Sequence, residues 1–384
     1  MIYLNNAASS FPKPPEVFEA VANCINVPPM NHSRSGFEED FEDVIFATRN
    51  VVGEFFGVST PNQMIFTSGS TEALNLAIRG VGLEGGHVVS TMVEHNSVIR
   101  PLKTMEQEGA LEVDFAECDA TGFVNPENIE RLIKPNTKAV VLNHCSNVTG
   151  CVQDVKAISE IAHAKGLLVI VDASQSAGAV PIDVKELGID LLAFTGHKSL
   201  YGLQGSGGLF VKEGIDIKPI KVGGTGVKSE MLTQPQEMPL LCEAGTPNTP
   251  GIVSLNAGIN WIKKTGLDKI HDRKKELLSR IYNELSELPE VRMYRPEDKY
   301  NCWGNFCFNV GEMVPEEINF ILESSYDIHV RSGLHCAPLI LVPLGVHPWG
   351  TVRASVSYFT ADEEVEKFID AIKDIVKTFV RRGK

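Results

Sequence analysis

The spacing of apolar positions changes along this chain. From Glu38 to Phe56 the residues Phe41, Val44, Ile45, Val52 and Phe55 recur at three- and four-residue spacing and Gly57 supplies a stop, which predicts a helix. Beyond it, short apolar runs alternate with helical patterns. Met64–Thr67 reads as a strand, Thr71–Gly80 as a helix, His87–Met92 as a strand, Glu127–Ile133 as a helix and Ala139–Asn143 as a strand. Val155–Lys165 is a helix closed by Gly166. Leu167–Val171 follows as an unbroken apolar run, the pattern of a strand buried on both faces. Leu191–Phe194 and Gly208–Val211 are two further strands. This alternation predicts an α/β layer on a mostly parallel sheet.

The texture changes near residue 250. Pro250–Lys264 and Leu267–Leu288 are long helical patterns, followed by strand candidates Gly304–Val310 and Thr351–Ser357 and a final helix. Thr360 and Glu363 have the spacing of a capping box at the start of that helix. The expected organisation is an arm at 1–14, a large domain at 15–255 and a smaller α+β domain at 256–384.

Composition narrows the function. The chain has 384 residues, of which 43% are hydrophobic and 22% charged, with a formal net charge of −14. Such an acidic chain without a basic block is a poor ligand for nucleic acid or an anionic membrane. The longest apolar run is far short of a bilayer span, and the first residues lack the features of a signal peptide. Eight cysteines form no C-x-x-C pair, and neither Cys145 with Cys151 nor Cys302 with Cys307 has zinc-knuckle spacing, so no metal site is expected. A reducing, cytoplasmic location is the expectation.

Several polar positions at strand ends can carry chemistry. The apolar run ends in Asp172, which either caps the turn Ala173–Gly178 or holds a ligand group at the C-terminal edge of the sheet. Strand Leu191–Phe194 runs into Thr195-Gly-His-Lys198, whose lysine is either a surface residue or an amine able to form a Schiff base with an aldehyde cofactor. Ser68-Gly-Ser-Thr71 opens a helix, as an ordinary N-cap or as a phosphate cup. His95 follows a strand and is either a ring-stacking group or a loop residue. In Arg331-Ser-Gly-Leu-His-Cys336-Ala-Pro338 a Gly- and Pro-bounded loop can expose the thiol beside a cation, His335 or Arg331. Arg353, in a strand, is suited to clamp a carboxylate.

As a set these residues resemble the class V, fold-type I pyridoxal-phosphate enzymes, and among them the cysteine desulfurase family. The resemblance runs from Tyr3-Leu-Asn-Asn-Ala-Ala8 to the terminal helix. It rests on Asp172-Ala-Ser-Gln175 with Thr195-Gly-His-Lys198, on Ser68-Gly-Ser-Thr71-Glu-Ala, on Glu94-His95-Asn-Ser and on Glu243-Ala-Gly-Thr246-Pro-Asn-Thr. The Cys336 loop is similar to the short catalytic-cysteine loop of SUF-type desulfurases and selenocysteine lyases.

The resemblance implies that Lys198 binds the cofactor aldehyde and moves the Cα proton, that Asp172 holds the pyridine nitrogen, and that His95 covers the ring. It implies Gln175 at the phenolate oxygen with Asn147 beside it, and Ser70, Thr71, Thr195 and His197 around the phosphate, with Thr246 arriving from the second chain of a homodimer. Arg353 would take the substrate carboxylate, with Arg331, Asn31 and Arg34 at the rim, and Cys336 would take sulfur from L-cysteine as a persulfide for an acceptor protein, in a role such as iron–sulfur cluster assembly. Selenocysteine lyase, another β-lyase, an aminotransferase and a non-catalytic scaffold are the alternatives. Two departures stand out: Asn5 occupies a position where the family usually has Asp, and Leu334 one where some relatives have His.

Overall fold

The computed structural model of the chain describes residues 1–27, 43–296 and 303–381. In chain order the strands are β1 (Ile2–Tyr3), β2 (Met64–Thr67), β3 (His87–Thr91), β4 (Glu112–Ala116), β5 (Thr137–Asn143), β6 (Leu168–Asp172) and β7 (Leu191–Thr195). They continue with β8 (Gly207–Val211), β9 (Val291–Tyr294), β10 (Asn305–Val310), β11 (Ile328–His329), β12 (Arg331–Gly333) and β13 (Thr351–Ser355).

Among the described residues β2 to β8 form a sheet ordered β2-β8-β7-β6-β5-β3-β4. All are parallel except β8, which runs antiparallel to both β2 and β7. The reversal has a local cause. The connection from β7 to β8 contains no helix, and a parallel return needs a longer crossover. Helices cover both faces, so successive side chains enter different cores: in β6, Val169 and Val171 face one and Ile170 the other. That two-sided burial is why the run is continuously apolar.

Gly207 allows β8 to approach closely. A Cβ there would lie 2.6 Å from the Phe194 carbonyl oxygen and 2.7 Å from the Gly69 Cα. The turn at Gly69 is therefore seated directly on the sheet.

A second sheet, ordered β12-β13-β10-β9, is antiparallel. Its core joins Phe306, Phe308 and Val352 to Leu277 and Ile281 of helix Leu267–Ser286 and Phe368 and Ile372 of helix Asp362–Ile375. The N-terminal arm stitches this sheet to the first. β1 pairs in parallel with β11, the Ser355 amide donates to the Leu4 carbonyl at 2.8 Å, and the Ser10 hydroxyl donates to the Lys198 carbonyl at 2.8 Å.

Two local expectations shift. The helix expected from Glu38 is described from Val44, with the Asp43 carboxylate accepting from the amides of Ile45 and Phe46; Glu38 and Phe41 lie outside the described residues. The final helix starts one residue later than the Thr360 capping box implies. Ala361 is its N-cap and gives its amide to Glu364 at 2.8 Å, whereas the Thr360 hydroxyl accepts from the Ser357 amide at 3.0 Å. Among the described residues no helix is long and apolar enough to cross a membrane.

Candidate active site

Strand register lines up the polar ends of the parallel strands. Asn143 of β5 pairs with Asp172 of β6, which pairs with Ala193 of β7, so the sheet presents these positions along one edge. There a cavity of about 230 Å³ opens, lined by Ser70, Thr71, His95, Asn147, Asp172, Gln175, His197, Lys198, Arg331 and Arg353. Residues that end β5 and β6, the turn after β7, two helix starts, Ala7 and Ala8 of the N-terminal segment and the second sheet thus meet in one space.

Asp172 is buried, and its Oδ1 accepts from the amide of Ser174 at 2.9 Å and from the Ser174 hydroxyl. This caps the turn, one of the two roles open from the sequence. Its Oδ2 takes no hydrogen bond from the described residues and is available to the cavity. Lys198 is half-buried and faces the cavity, and desolvation is the main cause that brings its amine down to about 8. Asp172 opposes this shift, whereas the charges of Arg353 and Arg331 assist it.

His95 is the N-cap of helix Asn96–Gln107, its Nδ1 accepting from the Ser97 amide at 3.0 Å. Because Nδ1 accepts, the proton of the neutral ring sits on Nε2. Burial, partly opposed by Asp172, brings the ring down to about 4, so it is neutral at pH 7. The Ser97 hydroxyl is 2.8 Å from Thr71 Oγ1 and links the two helix starts. Glu94, just before His95, is completely buried and accepts from Thr91 Oγ1 at 2.5 Å and the Asn143 amide at 2.9 Å.

Helix Ser70–Gly80 begins at Gly69 with no side-chain cap, leaving its first amides and its positive end directed outward. An adjoining cavity of about 270 Å³ is lined by Gly69, Ser70, Thr71, Thr195 and His197. His197 Nδ1 is buried without a hydrogen-bond partner among the described residues, and burial brings the ring down to about 4. An uncapped helix start, hydroxyls and an orphaned ring nitrogen fit a phosphate. With the free oxygen of Asp172 and the cavity-facing amine of Lys198, these residues fit pyridoxal phosphate.

The loop after β12 brings the thiol to this edge. Its carbonyls dock on the first sheet's loops: Asn147 Nδ2 donates to the His335 carbonyl at 2.7 Å, and the Asn96 amide donates to the Cys336 carbonyl at 2.7 Å. His335 and Cys336 both have positive φ, 50° and 58°, a strained conformation for non-glycine residues. Arg331 Nη2 donates to Cys336 Sγ at 3.0 Å. Cys336 is half-buried and does not itself line the cavity, which it reaches through Arg331. His335 is not the cation beside the thiol. It is buried, its Nε2 donates to the Thr351 carbonyl at 3.0 Å, and burial with the charges of Arg353 and Arg331 holds it well below the usual histidine range.

Arg353 stands directly across β12 and β13 from Arg331. It is 1% exposed; Nη1 donates to the Asn147 carbonyl at 2.9 Å and Nη2 to Asn5 Oδ1 at 3.2 Å, and Nε has no partner among the described residues. Like charges facing each other across a sheet are destabilising unless an anion joins them.

Thr246 is not in this cavity. It lines a separate one of about 390 Å³ together with Arg49 and Glu243, which form an ion pair at 2.7 Å. Asn31 and Arg34 lie outside the described residues. Sequence reasoning missed Asn143, Cys145, Ser97 and Ser174 in the cavity wall, as well as the roles of Asn5 and Glu94. Asn143 ends a strand read correctly from the sequence, and that position was the available signal.

Comparison with known proteins adds an independent line. The family model Aminotransferase class-V matches residues 2–368. A "Probable cysteine desulfurase" of Pyrococcus abyssi is 35% identical, the alignment covering 98% of this chain and 95% of that protein. One of Methanothermobacter thermautotrophicus is 32% identical, covering 97% and 94%. Among solved structures, the apo structure of a cysteine desulfurase from Thermococcus onnurineus NA1 superposes with a TM-score of 0.89 at 33% identity, covering 98% of this chain and 94% of that one.

Proposed function

The chain belongs to the aminotransferase class-V family, and from that premise we propose that it is a pyridoxal-phosphate-dependent cysteine desulfurase converting L-cysteine to L-alanine with a persulfide left on Cys336. The observation that carries this reading is the meeting of Lys198, Asp172, His95 and Arg353 in one cavity whose wall residue Arg331 holds the Cys336 thiol at 3.0 Å.

When bound, pyridoxal phosphate offers an aldehyde to the substrate amine and a ring that draws electrons from the substrate Cα. Asp172 Oδ2 would accept the ring N–H, and His95 would cover the ring. Gln175 and Asn147 serve its oxygen side, and Ser70, Thr71, Thr195 and His197 its phosphate. Lys198, lowered to about 8 mainly by burial, has a neutral fraction near neutral pH able to take a proton at Cα. Arg353 receives the substrate α-carboxylate.

Sulfur transfer then balances without an external oxidant. Cys336 Sγ attacks the substrate sulfur, the S–S bond forms, and the Cβ–S bond breaks with its electron pair remaining on carbon. Cβ takes a proton to give alanine, and the persulfide passes to an acceptor thiol. We further propose a homodimer in which Thr246, which does not line its own chain's Lys198 cavity, serves the partner's phosphate.

Mass spectrometry after brief exposure to L-cysteine tests the reading. The expected result is the mass of one added sulfur atom on Cys336 in the wild type. Cys336→Ala is expected to form no alanine while keeping the cofactor's absorption. Alanine formed by Cys336→Ala at the wild-type rate would overturn the persulfide and favour a general β-lyase.

A further inference from the structure

The backbone of Asn5 bridges to Ser355, two residues beyond Arg353 on β13, and its carbonyl accepts from the Tyr3 hydroxyl at 3.2 Å. These contacts hold the Asn5 backbone beside β13, and its side-chain Oδ1 accepts from Arg353 Nη2 at 3.2 Å. The other oxygen on this guanidinium is the Asn147 carbonyl at 2.9 Å. Both acceptors are neutral. Among the described residues neither Arg353 nor its cross-strand neighbour Arg331 forms an ion pair with a carboxylate. A buried guanidinium normally has a charged partner, because a lone charge in the interior is costly.

Resting on the function just proposed, we propose that Asn5 is a positioning residue that orients Arg353 toward the cavity while leaving its charge free for the α-carboxylate of the amino-acid substrate. An amide oxygen fixes direction through a hydrogen bond but neutralises nothing. A carboxylate at the same point would form a charge-assisted pair with Nη2 and compete with the incoming substrate. Asn5 thus sets how strongly the site selects amines that carry a carboxylate.

The test uses the holoenzyme and two amines that carry no sulfur and differ only in the carboxylate, L-alanine and ethylamine, titrated calorimetrically. Asn5→Asp is expected to weaken L-alanine about tenfold, equivalent to about 1.4 kcal/mol, with ethylamine unchanged. In L-cysteine turnover the same variant should raise KM more than it lowers kcat. Asn5→Ala removes the orienting bond but adds no charge, and should weaken L-alanine only about threefold. Cofactor absorption and thermal unfolding of each variant establish that it is folded. L-alanine bound by Asn5→Asp as tightly as by wild type overturns the proposal. Equal weakening of both ligands also overturns it, because a merely structural role would act on both. If wild type binds L-alanine selectively but forms no persulfide from L-cysteine, the reaction assignment fails while the binding comparison still decides the role of Asn5.

Discussion

Replacing Glu94 with Gln should make the protein's stability less sensitive to pH. Glu94 is completely buried, and burial raises its carboxyl from 4.5 to about 8, against the lowering effect of hydrogen bonds from Thr91 and Asn143 and with a smaller raising effect from Asp172. The folded protein thus keeps this proton across a range where the unfolded chain has released it. Its stabilising contribution is fully present below pH 4.5 and is lost progressively as pH rises toward 8. With about 1.4 kcal/mol per pKa unit, the wild type should lose roughly 3 kcal/mol from this group between pH 5 and pH 8.

Glu94→Gln retains an oxygen able to accept from Thr91 and Asn143 and has no proton to lose. Its amide nitrogen falls where Oε2 has no partner among the described residues, which adds a penalty independent of pH. The slope is therefore the diagnostic, and the offset is not. Thermal unfolding of both proteins from pH 5 to pH 8 should show the Tm of Glu94→Gln relative to wild type rising throughout. A difference flat across that range would refute the argument, and one that falls with pH would reverse its sign.

Two further substitutions probe how the site is supported. In Gly207→Ala the added carbon meets backbone atoms of Phe194 and Gly69 at 2.6 and 2.7 Å, so the phosphate turn or the strand must shift. An overpacking penalty of about 1–3 kcal/mol and weaker cofactor binding are expected, and wild-type affinity in a pyridoxal-phosphate titration would contradict this. Arg331→Ala removes the donor on Cys336 Sγ and should slow iodoacetamide alkylation of that thiol at pH 7 about fivefold, whereas faster alkylation would mean that Arg331 only shields it.

Apolar continuity made the first sheet legible. β5, β6 and β7 are buried on both faces, so their sequences carry little besides β-branched and aliphatic residues, and the polar residues ending them announce the cavity edge. Other elements lack such a pattern. Helix Asn96–Gln107 buries its own Val98, Ile99, Leu102 and Met105 at helical spacing, but Pro101 and the polar residues between them break the apolar run. β12 is a three-residue strand, Arg331-Ser-Gly333, whose existence depends on pairing with β13. A segment with no hydrophobic signal cannot be read as a strand from composition alone.

The same short strand explains why the chemistry of the second sheet was only partly visible. Arg331 and Arg353 are 22 positions apart in sequence, each a plausible single cation, but β12 sets them directly opposite one another. That pairing opposes folding, because two guanidiniums repel and the acceptors on Arg353 are uncharged. The repulsion is relieved by negative charge arriving from outside the fold, a substrate carboxylate at Arg353. On this view the docked carbonyls of His335 and Cys336 have a second purpose. They hold a strained loop, with Arg331 at its start, against the large sheet despite that repulsion. The repulsion between Arg331 and Arg353 and their availability to a carboxylate both follow from the register of β12 on β13.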